Sequence, residues 1–527
     1  MEDEAIPYSS NTDMDPEEFE ETVPLLPDMV VGNVSISQQV LVSQQTLSVS
    51  QKRTQYFAAL VVTIGGLIAG TSLAWTSPAA IALNRGDYGF SVSDDNLAWI
   101  GSFMPLGAIV GSIITAWLVD LIGRKNLIHL VIIPCFVGWT AMAFANSVLM
   151  ICIGRFLTGI ASGCFCIVVP MYIAEIAEKD IRGTLGTYLQ LQITLGILLI
   201  YTIGTFVHVF TLTIICAAVP LVYGALMFLL PETPYFLLMK KNVSQAQQSL
   251  IWFRGSNYDG KHELAIAQKS IEDDEADKIP CLQAFQTKAA KRGLIIGLGV
   301  MFLQQFSGCN AVIFYTETIF KDAAGTSDSS KNSNLSTIIV GIAQVVTTWI
   351  ASLIVDKLGR RILLLLSIVV MTLCTFTLGL YFYLQENKQD VSDIRWVPLV
   401  SLCGFIIIFS LGFGPIPWML MAEIFPSKIK GTASSLACLF NWTCVFIVTK
   451  LFPLFRVIFG SGITFWCFTV CSGLGIFFVL FMVPETKGKT LLEVQLMLGG
   501  DNEENIRARS TNENQTDHVY GESKIRL

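Results

Sequence analysis

Apolar stretches long enough to cross a lipid bilayer recur along most of this chain. A helix needs about 20 apolar residues to span a hydrocarbon layer roughly 30 Å thick. Inside a bilayer, only helices and closed barrels satisfy every backbone hydrogen bond. The sequence therefore predicts an all-α integral membrane protein with about twelve spans. Their approximate positions are 55–83, 97–119, 127–146, 148–173, 185–207, 211–230, 293–318, 335–355, 362–384, 397–421, 432–454 and 461–483.

Composition argues against other classes of protein. The 527 residues are 53% hydrophobic and 14% charged, which is too apolar for an ordinary soluble domain. The net charge of −7 comes largely from the tails, and no basic patch indicates a nucleic-acid partner. The thirteen cysteines lie mostly in apolar stretches without metal or disulfide spacing, so neither a metal nor a cofactor is expected. Paired catalytic carboxylates and a nucleophile with a nearby base are also missing, so we expect no enzyme.

A charged turn between two apolar stretches occurs twice. The sequence Gly-Arg-Lys at 123–125 returns as Gly-Arg-Arg at 359–361, and other charged pairs repeat at a similar offset. An offset of roughly 240 to 250 residues indicates a duplicated membrane unit, which is a common plan of secondary transporters. The repeated charged residues are Asp120, Arg124, Glu175 and Arg182 in the first half, and Asp356, Arg360, Glu423 and Lys430 in the second.

The repeat and the tails divide the chain into five segments. Basic residues fall in alternate loops, and these loops should be cytoplasmic, together with both termini. The polar tails should be disordered, and the long polar insertion should form surface helices. The segments are a cytoplasmic tail at 1–52, a six-helix bundle at 53–231, a cytoplasmic helical linker at 232–290, a second six-helix bundle at 291–486 and a cytoplasmic tail at 487–527.

The repeated charges are also candidates for a gate. An acid can pair with a cation of a neighbouring span, and such bonds can close the cytoplasmic face and break when it opens. Charges this close to a membrane rarely lack a partner. Arg155, near the start of the fourth span, is a further candidate partner of these acids. The plainer alternative is that the cations only mark topology.

Several motifs resemble those of the sugar porters of the major facilitator superfamily. The nearest relatives look like the animal facilitative glucose transporters with an N-terminal dileucine and the insect facilitated trehalose transporters. The resemblance implies two pseudo-symmetric six-helix bundles around a central cavity that opens to each side in turn. The matching motifs are Gly154-Arg-Phe, Pro170-Met-Tyr-Ile-Ala-Glu, Arg182-Gly-Thr, Pro231-Glu-Thr-Pro, Gln304-Gln-Phe-Ser-Gly-Cys-Asn, Gly414-Pro-Ile-Pro-Trp, Asn441-Trp-Thr and Pro484-Glu-Thr-Lys-Gly-Lys.

The same resemblance implies a sugar site lined mainly by the second bundle. Phe314 and Tyr315 should shield that site from the outside. Gln344 occupies an eighth-span position where many glucose transporters have asparagine. The implied sugar contacts are Gln190, Gln304, Gln305, Asn310 and Trp418, with Asn441 and Trp442 as weaker candidates.

The chemistry of these residues agrees with a sugar site. Each sugar hydroxyl both donates and accepts, and neutral amides supply both functions without burying a charge. The alternative is that the amides join helices to one another. On an ideal helix Gln305 and Asn310 point away from Gln304, so we expect Gly308 to unwind the helix and turn them toward a common cavity. Pro415 and Pro417 should interrupt the tenth span in a similar way.

The spans lack the acids that proton coupling requires. No ionisable side chain lies between Tyr56 and Arg85, and a proton-coupled porter needs a titratable group in its membrane path. Proton-driven relatives carry an acid in the first span. We therefore predict uniport of glucose, a related hexose or trehalose. The alternatives are a proton-coupled sugar symporter and a sugar sensor that does not transport.

The N-terminal tail holds an acidic dileucine pattern. Glu21 precedes the pair Leu25 and Leu26 by four residues, which resembles a signal that sorting adaptors recognise. The pattern predicts a multi-pass protein of the plasma membrane, of endosomal or lysosomal membranes, or of both.

Overall fold

The computed structural model confirms an almost wholly helical chain. It describes residues 52–90, 92–256, 258–276, 287–324, 330–425, 430–489 and 491–499. No β-strand occurs in these ranges. The sorting residues Glu21, Leu25 and Leu26 lie outside the described residues.

Six helical spans make up the first half. The first span is divided into three consecutive helices, which are separated by Thr63 and by Trp75. Ser93 and Ser147 cap the second and fourth spans by accepting bonds from backbone N–H groups. The spans are Lys52–Val62 with Ile64–Ala74 and Thr76–Arg85, then Asp94–Ile122, Arg124–Ala143, Val148–Ile176, Lys179–Phe206 and Val209–Met227.

The second half repeats this plan with more interruptions. The last helical stretch, Lys430–Met482, is 53 residues long and breaks at Gly460, where φ is +85°. At about 1.5 Å per residue it is more than twice as long as a bilayer core is thick, so it supplies the eleventh and twelfth spans. The others are Lys288–Phe306 with Cys309–Ala324, Ser330–Leu358, Arg360–Glu386, and Val397–Leu411 with Ile416–Ile424.

Small residues let the second and fourth spans approach closely within the first half. A Cβ atom on Gly107 would lie 2.0 Å from the carbonyl oxygen of Phe156, and one on Gly159 would lie 2.0 Å from that of Met104. Such backbone contact is a common source of packing energy between helices in lipid, where the hydrophobic effect between helices is lost.

The two halves meet along three pairs of spans. The second packs on the eleventh, the fifth on the eighth and the first on the seventh. We call the end of the molecule that carries the Gly123 and Gly359 turns the basic face, and the other end the opposite face. At the opposite face Tyr201 donates a 2.7 Å hydrogen bond to the Ile313 carbonyl oxygen, and this bond joins the two halves.

Short helices cover the basic face. Those between the halves are Pro234–Met239, Val243–Arg254 and Lys261–Ala276, and the helix Leu491–Gly499 follows the twelfth span. Arg254 is buried, pairs with Glu263 at 2.7 Å and donates to the Ile176 carbonyl oxygen at 2.7 Å. The pair with Glu263 joins two linker helices, and the bond to Ile176 attaches them to the first half.

Candidate functional site

The seventh span is broken where four polar residues follow one another closely. Its first helix ends at Phe306 and its second begins at Cys309, with Gly308 at φ +94° between them. The left-handed backbone at this glycine turns the chain so that Asn310 Nδ2 lies 2.5 Å from Gln305 Oε1. The expected unwinding at Gly308 is therefore confirmed.

The amides of the seventh and eleventh spans form one hydrogen-bonded cluster. Asn441 Nδ2 donates to Gln304 Oε1 at 2.8 Å, and Gln305 Nε2 donates to Asn441 Oδ1 at 3.3 Å. Gln304, Gln305, Asn310 and Asn441 are all buried. We call these four side chains the amide cluster. It concentrates neutral donors and acceptors in the second half, and no formal charge is needed to satisfy it.

The tenth span is also broken beside the amide cluster. Its first helix ends at Leu411 and its second begins at Ile416, as the prolines predicted. Gln304 Nε2 donates to the carbonyl oxygens of Phe413 at 2.7 Å and Gly414 at 3.2 Å. The cluster thus links two broken helices, an arrangement that many transporters place beside their binding sites. Trp418 lies one turn further on and is 36% exposed.

The remaining proposed sugar contacts lie on other spans. Gln344 is buried on the eighth span and Gln190 is half-buried on the fifth. Trp442 is buried next to Asn441, and its indole N–H has no hydrogen-bond partner in the described structure. A buried donor without a partner destabilises the fold. A hydrogen bond from this N–H to a ligand or a water would therefore be favourable.

Phe314 and Tyr315 form a buried layer toward the opposite face. Tyr315 breaks the regular helix with φ −126° and donates to the Thr449 carbonyl oxygen at 3.2 Å. Its hydroxyl also lies against Gly101 of the first half. Both rings are buried, and their role as an outer shield stays a prediction.

At the basic face of the first half, Arg124 joins two acidic residues. It lies 2.9 Å from Glu175 Oε1 and 3.1 Å from Asp120 Oδ1. Thr233 Oγ1 donates to the other Glu175 oxygen at 2.5 Å. The predicted pairing between a turn cation and an acid of a neighbouring span is present, and it lies within one bundle.

The second half repeats this cluster. Arg360 lies 2.9 Å from Glu423 Oε1, and Thr486 Oγ1 donates to Glu423 Oε2 at 2.5 Å. The side chains of Asp356 and Lys430 lie outside the described structure. Each half therefore contains its own hydrogen-bonded set of an arginine, a glutamate and a threonine, and both sets lie at the basic face.

Two glutamates that sequence reasoning did not select complete these sets. Glu232 accepts from the Lys125 N–H at 3.0 Å, and Glu485 accepts from the N–H groups of Arg360 at 2.9 Å and Arg361 at 3.1 Å. Each carboxylate satisfies the free N–H groups at the start of a helix. Burial raises the pKa of Glu232, and the N–H bonds oppose that change. The repeated Pro-Glu-Thr motif was the signal that could have identified both.

Two predicted partners do not join the basic-face clusters. Arg182 is exposed and donates to the Ala177 carbonyl oxygen at 3.2 Å rather than to Glu175. The prediction that Arg155 is a partner of the acids at the basic face was wrong. It begins the fourth span and Glu175 ends it, so about 30 Å of helix separates them.

Arg155 instead lies buried toward the opposite face. Its Nη1 donates to the Ser72 carbonyl oxygen at 2.5 Å, and its Nε donates to that of Ile100 at 3.3 Å. Its guanidinium lies 5.6 Å from the Trp75 ring centroid and 5.8 Å from that of Phe314. Among the described residues no carboxylate pairs with it, and its Nη2 has no partner. Arg155 is therefore held by carbonyl oxygens and aromatic faces.

Comparison with known proteins gives the class to which this fold and site belong. Residues 36–498 match the family described as "Sugar (and other) transporter", so the chain belongs to that family. The fold is also that of a solved xylose transporter from E. coli, in a partially occluded inward-open conformation. That structure is 25% identical, has a TM-score of 0.70, and the match covers 83% of this chain and 99% of the other.

Among curated proteins, the chain is similar to insect facilitated trehalose transporters. It is 41% identical over 450 residues to the one from Aedes aegypti and 40% identical over 448 residues to the one from Apis mellifera ligustica. Each match covers 85% of this chain. The chain spans 55% of the length of the mosquito relative and 88% of that of the honeybee relative.

Proposed function

We propose that this protein is a facilitative sugar transporter that works by alternating access. The observation that carries the proposal is the uncharged amide cluster between the broken seventh and tenth spans. The two halves would rock about this cluster and expose it to one face at a time. Gln304, Gln305, Asn310 and Asn441 would bind sugar hydroxyls, together with Gln190 and Gln344, and Trp418 would pack on the sugar ring.

The substrate class follows from the chemistry of the lining. Neutral amides suit a polyol because each hydroxyl needs both a donor and an acceptor, whereas a charged substrate needs an opposite charge. The related insect proteins are named for trehalose. We therefore rank trehalose first and glucose or another hexose second.

Transport without proton coupling is supported by the surroundings of Arg155. A proton-coupled porter needs a titratable acid that changes partners as the carrier turns. Arg155 is bound by backbone carbonyl oxygens of Ser72 and Ile100, and no carboxylate of the described residues reaches it. The competing proposal is proton symport, because one solved structure of this fold is titled a proton:xylose symporter.

The orientation and location of the protein are also proposals. Positive residues at the basic face support a cytoplasmic orientation of that face, with both termini on the same side. An adaptor that reads Glu21, Leu25 and Leu26 would divide the protein between the plasma membrane and endosomal or lysosomal membranes. The charged sets around Arg124 and Arg360 would help to close the cytoplasmic face and would break when that face opens.

Competitive uptake into vesicles tests this function. Purified full-length protein is reconstituted, and uptake of labelled trehalose and labelled glucose is measured with and without a pH gradient. We expect saturable uptake that follows the sugar gradient and ignores the pH gradient. Sugar-dependent proton uptake would overturn the uniport assignment, and no uptake of either sugar would overturn the substrate class.

A further inference from the structure

A lysine at the opposite face connects the two halves of the molecule. Lys450, on the eleventh span, has its Nζ 2.7 Å from Asp95 Oδ1 in the first turn of the second span. The same Nζ lies 3.9 Å from the ring centroid of Trp99. Asp95 and Trp99 are four residues apart, so they share one helix face and contact the ammonium group together.

We propose that Lys450, Asp95 and Trp99 form a latch that holds the opposite face closed. We call these three residues the lysine latch. The proposal rests on the proposed function in that the opposite face is taken to be the outer entrance for the sugar. The latch would set the fraction of molecules in which this entrance is shut.

Burial indicates how the latch obtains its strength. The Lys450 side chain is 18% exposed, whereas that of Asp95 is 68% exposed. An ion pair with one exposed partner contributes little by itself. The contact with the indole face adds further electrostatic attraction, and tryptophan is the best aromatic partner for a cation. An acid in the first turn of a helix is favourable as well.

Two further acids at this face have a basic side chain of the same half as a neighbour and serve as internal references. His208 lies 3.7 Å from Asp87 within the first half, and Arg456 pairs with Asp322 within the second. A movement of one half against the other leaves such pairs intact. The same movement must separate Lys450 from Asp95 and Trp99.

The latch is directly adjacent to the shield over the amide cluster. Thr449 precedes Lys450, and its carbonyl oxygen accepts the bond from Tyr315. The backbone that positions the lysine therefore also holds the aromatic residue that covers the site. Opening the entrance should break both contacts, which couples the latch to access to the cluster.

Hydrogen–deuterium exchange of the full-length protein in nanodiscs measures the closed fraction without any substrate. The variants are Asp95→Asn, Lys450→Gln, Trp99→Leu and the charge-reversed double variant with Asp95→Lys and Lys450→Asp. We expect the amides of Cys309–Ala324 to exchange about fivefold faster in the three single variants. The double variant should regain part of the protection. Asp87→Asn is the matched control, since it removes an acid whose partner lies in the same half.

The outcomes distinguish a latch between the halves from an ion pair that leaves the entrance unaffected. Unchanged exchange in Asp95→Asn and Lys450→Gln, or equal loss in Asp87→Asn, overturns the latch. If a variant also loses protection at the basic face, its effect is not confined to the latch. Exchange at the opposite face of the unaltered protein is then measured at different salt concentrations instead. Faster opposite-face exchange at about 0.5 M than at about 0.05 M salt supports the latch, and no change overturns it. Absence of sugar uptake would overturn the proposed function and leave this result untouched.

Discussion

Asn441 donates a 2.8 Å hydrogen bond from Nδ2 to Oε1 of Gln304, and this bond ties the eleventh span to the seventh. Gln304 in turn donates to the tenth span. In this conformation the amides bond to one another. An entering sugar must therefore break these bonds and replace them with hydrogen bonds to its own hydroxyls. The exchange is nearly balanced because a hydroxyl can replace both donor and acceptor.

Gln305→Ala should weaken sugar transport. The change removes the acceptor of Asn310 and the donor to Asn441, and each unpaired buried amide group costs about 1–3 kcal/mol. We expect KM for the transported sugar to rise about tenfold or more, with normal insertion into membranes. Labelled-sugar uptake at several concentrations measures this.

Two further variants complete that experiment. Gln268→Ala removes an exposed amide from a linker helix and should leave uptake unchanged. Trp418→Leu should impair uptake, because it removes an aromatic surface that is 36% exposed beside the broken tenth span. Normal kinetics in both Gln305→Ala and Trp418→Leu would contradict the proposed pocket.

Much of this fold could be predicted from the sequence because the membrane restricts the structures that a span can form. Each span must satisfy its backbone bonds internally, so apolar length alone locates the spans. The breaks at Gly308 and before Ile416 were predictable because glycine and proline disturb a helix in known ways. At Gly460 a non-helical turn separates the eleventh span from the twelfth.

The location of Arg155 was mispredicted for a physical reason. Arg155, near the start of the fourth span, was assigned to the cytoplasmic face, although this span starts at the opposite face and ends at the basic face. Contacts between distant segments were also not derivable. Nothing local indicates that Glu232 would reach the N–H of Lys125, which lies 107 residues away.

Arg124→Ala should shift the balance between the two conformations of the carrier. Arg124 is buried and contacts Glu175, Asp120 and the Val119 carbonyl oxygen, so its loss leaves Glu175 with Thr233 as its remaining side-chain partner among these residues. We expect altered relative access of inhibitors that bind from the inside and from the outside. Lys52→Ala, which removes an exposed pair with Asp180, is the control. Unaltered access in Arg124→Ala would contradict a role in gating.

Gly123→Ala should destabilise the protein. Gly123 has φ +95°, and a Cβ atom there would lie 2.4 Å from Glu232 Oε2. Backbone strain of this kind costs about 1–3 kcal/mol. We expect a lower midpoint of thermal unfolding in detergent. Gly359→Ala should lower this midpoint as well. The control is Gly186→Ala in the fifth span, where a Cβ atom would meet no atom within 4 Å. Equal midpoints for Gly123→Ala and Gly186→Ala would argue against this account.

Replacing Leu25 and Leu26 by alanine should raise the amount of protein at the cell surface. An adaptor that binds the dileucine would no longer remove the transporter from the plasma membrane. Surface biotinylation measures the change, and Leu41→Ala in the same tail is a control for a general effect of losing a leucine. Equal surface abundance of the double variant and the unaltered protein would exclude the sorting role.

Ser72→Asp should make sugar uptake depend on pH. The Ser72 carbonyl oxygen already accepts from Arg155, and the Ser72 hydroxyl is buried without a partner. A carboxylate at this position would give the buried guanidinium the opposite charge that it lacks among the described residues. The ionised pair would hold the first and fourth spans together, and protonation would release them.

An aspartate that faces an arginine stays ionised at neutral pH and is protonated only in acid, near or below its ordinary pKa of about 3.9. We therefore expect uptake by Ser72→Asp to be low at neutral pH and to recover as the external pH falls from about 6 to about 4, while the unaltered protein keeps a flat profile. Ser72→Asn has nearly the same shape without the charge and should also stay flat. A flat profile in Ser72→Asp would mean that Arg155 does not respond to a neighbouring acid. The surroundings of Arg155 would then no longer support transport without proton coupling, whatever the sugar that the protein carries.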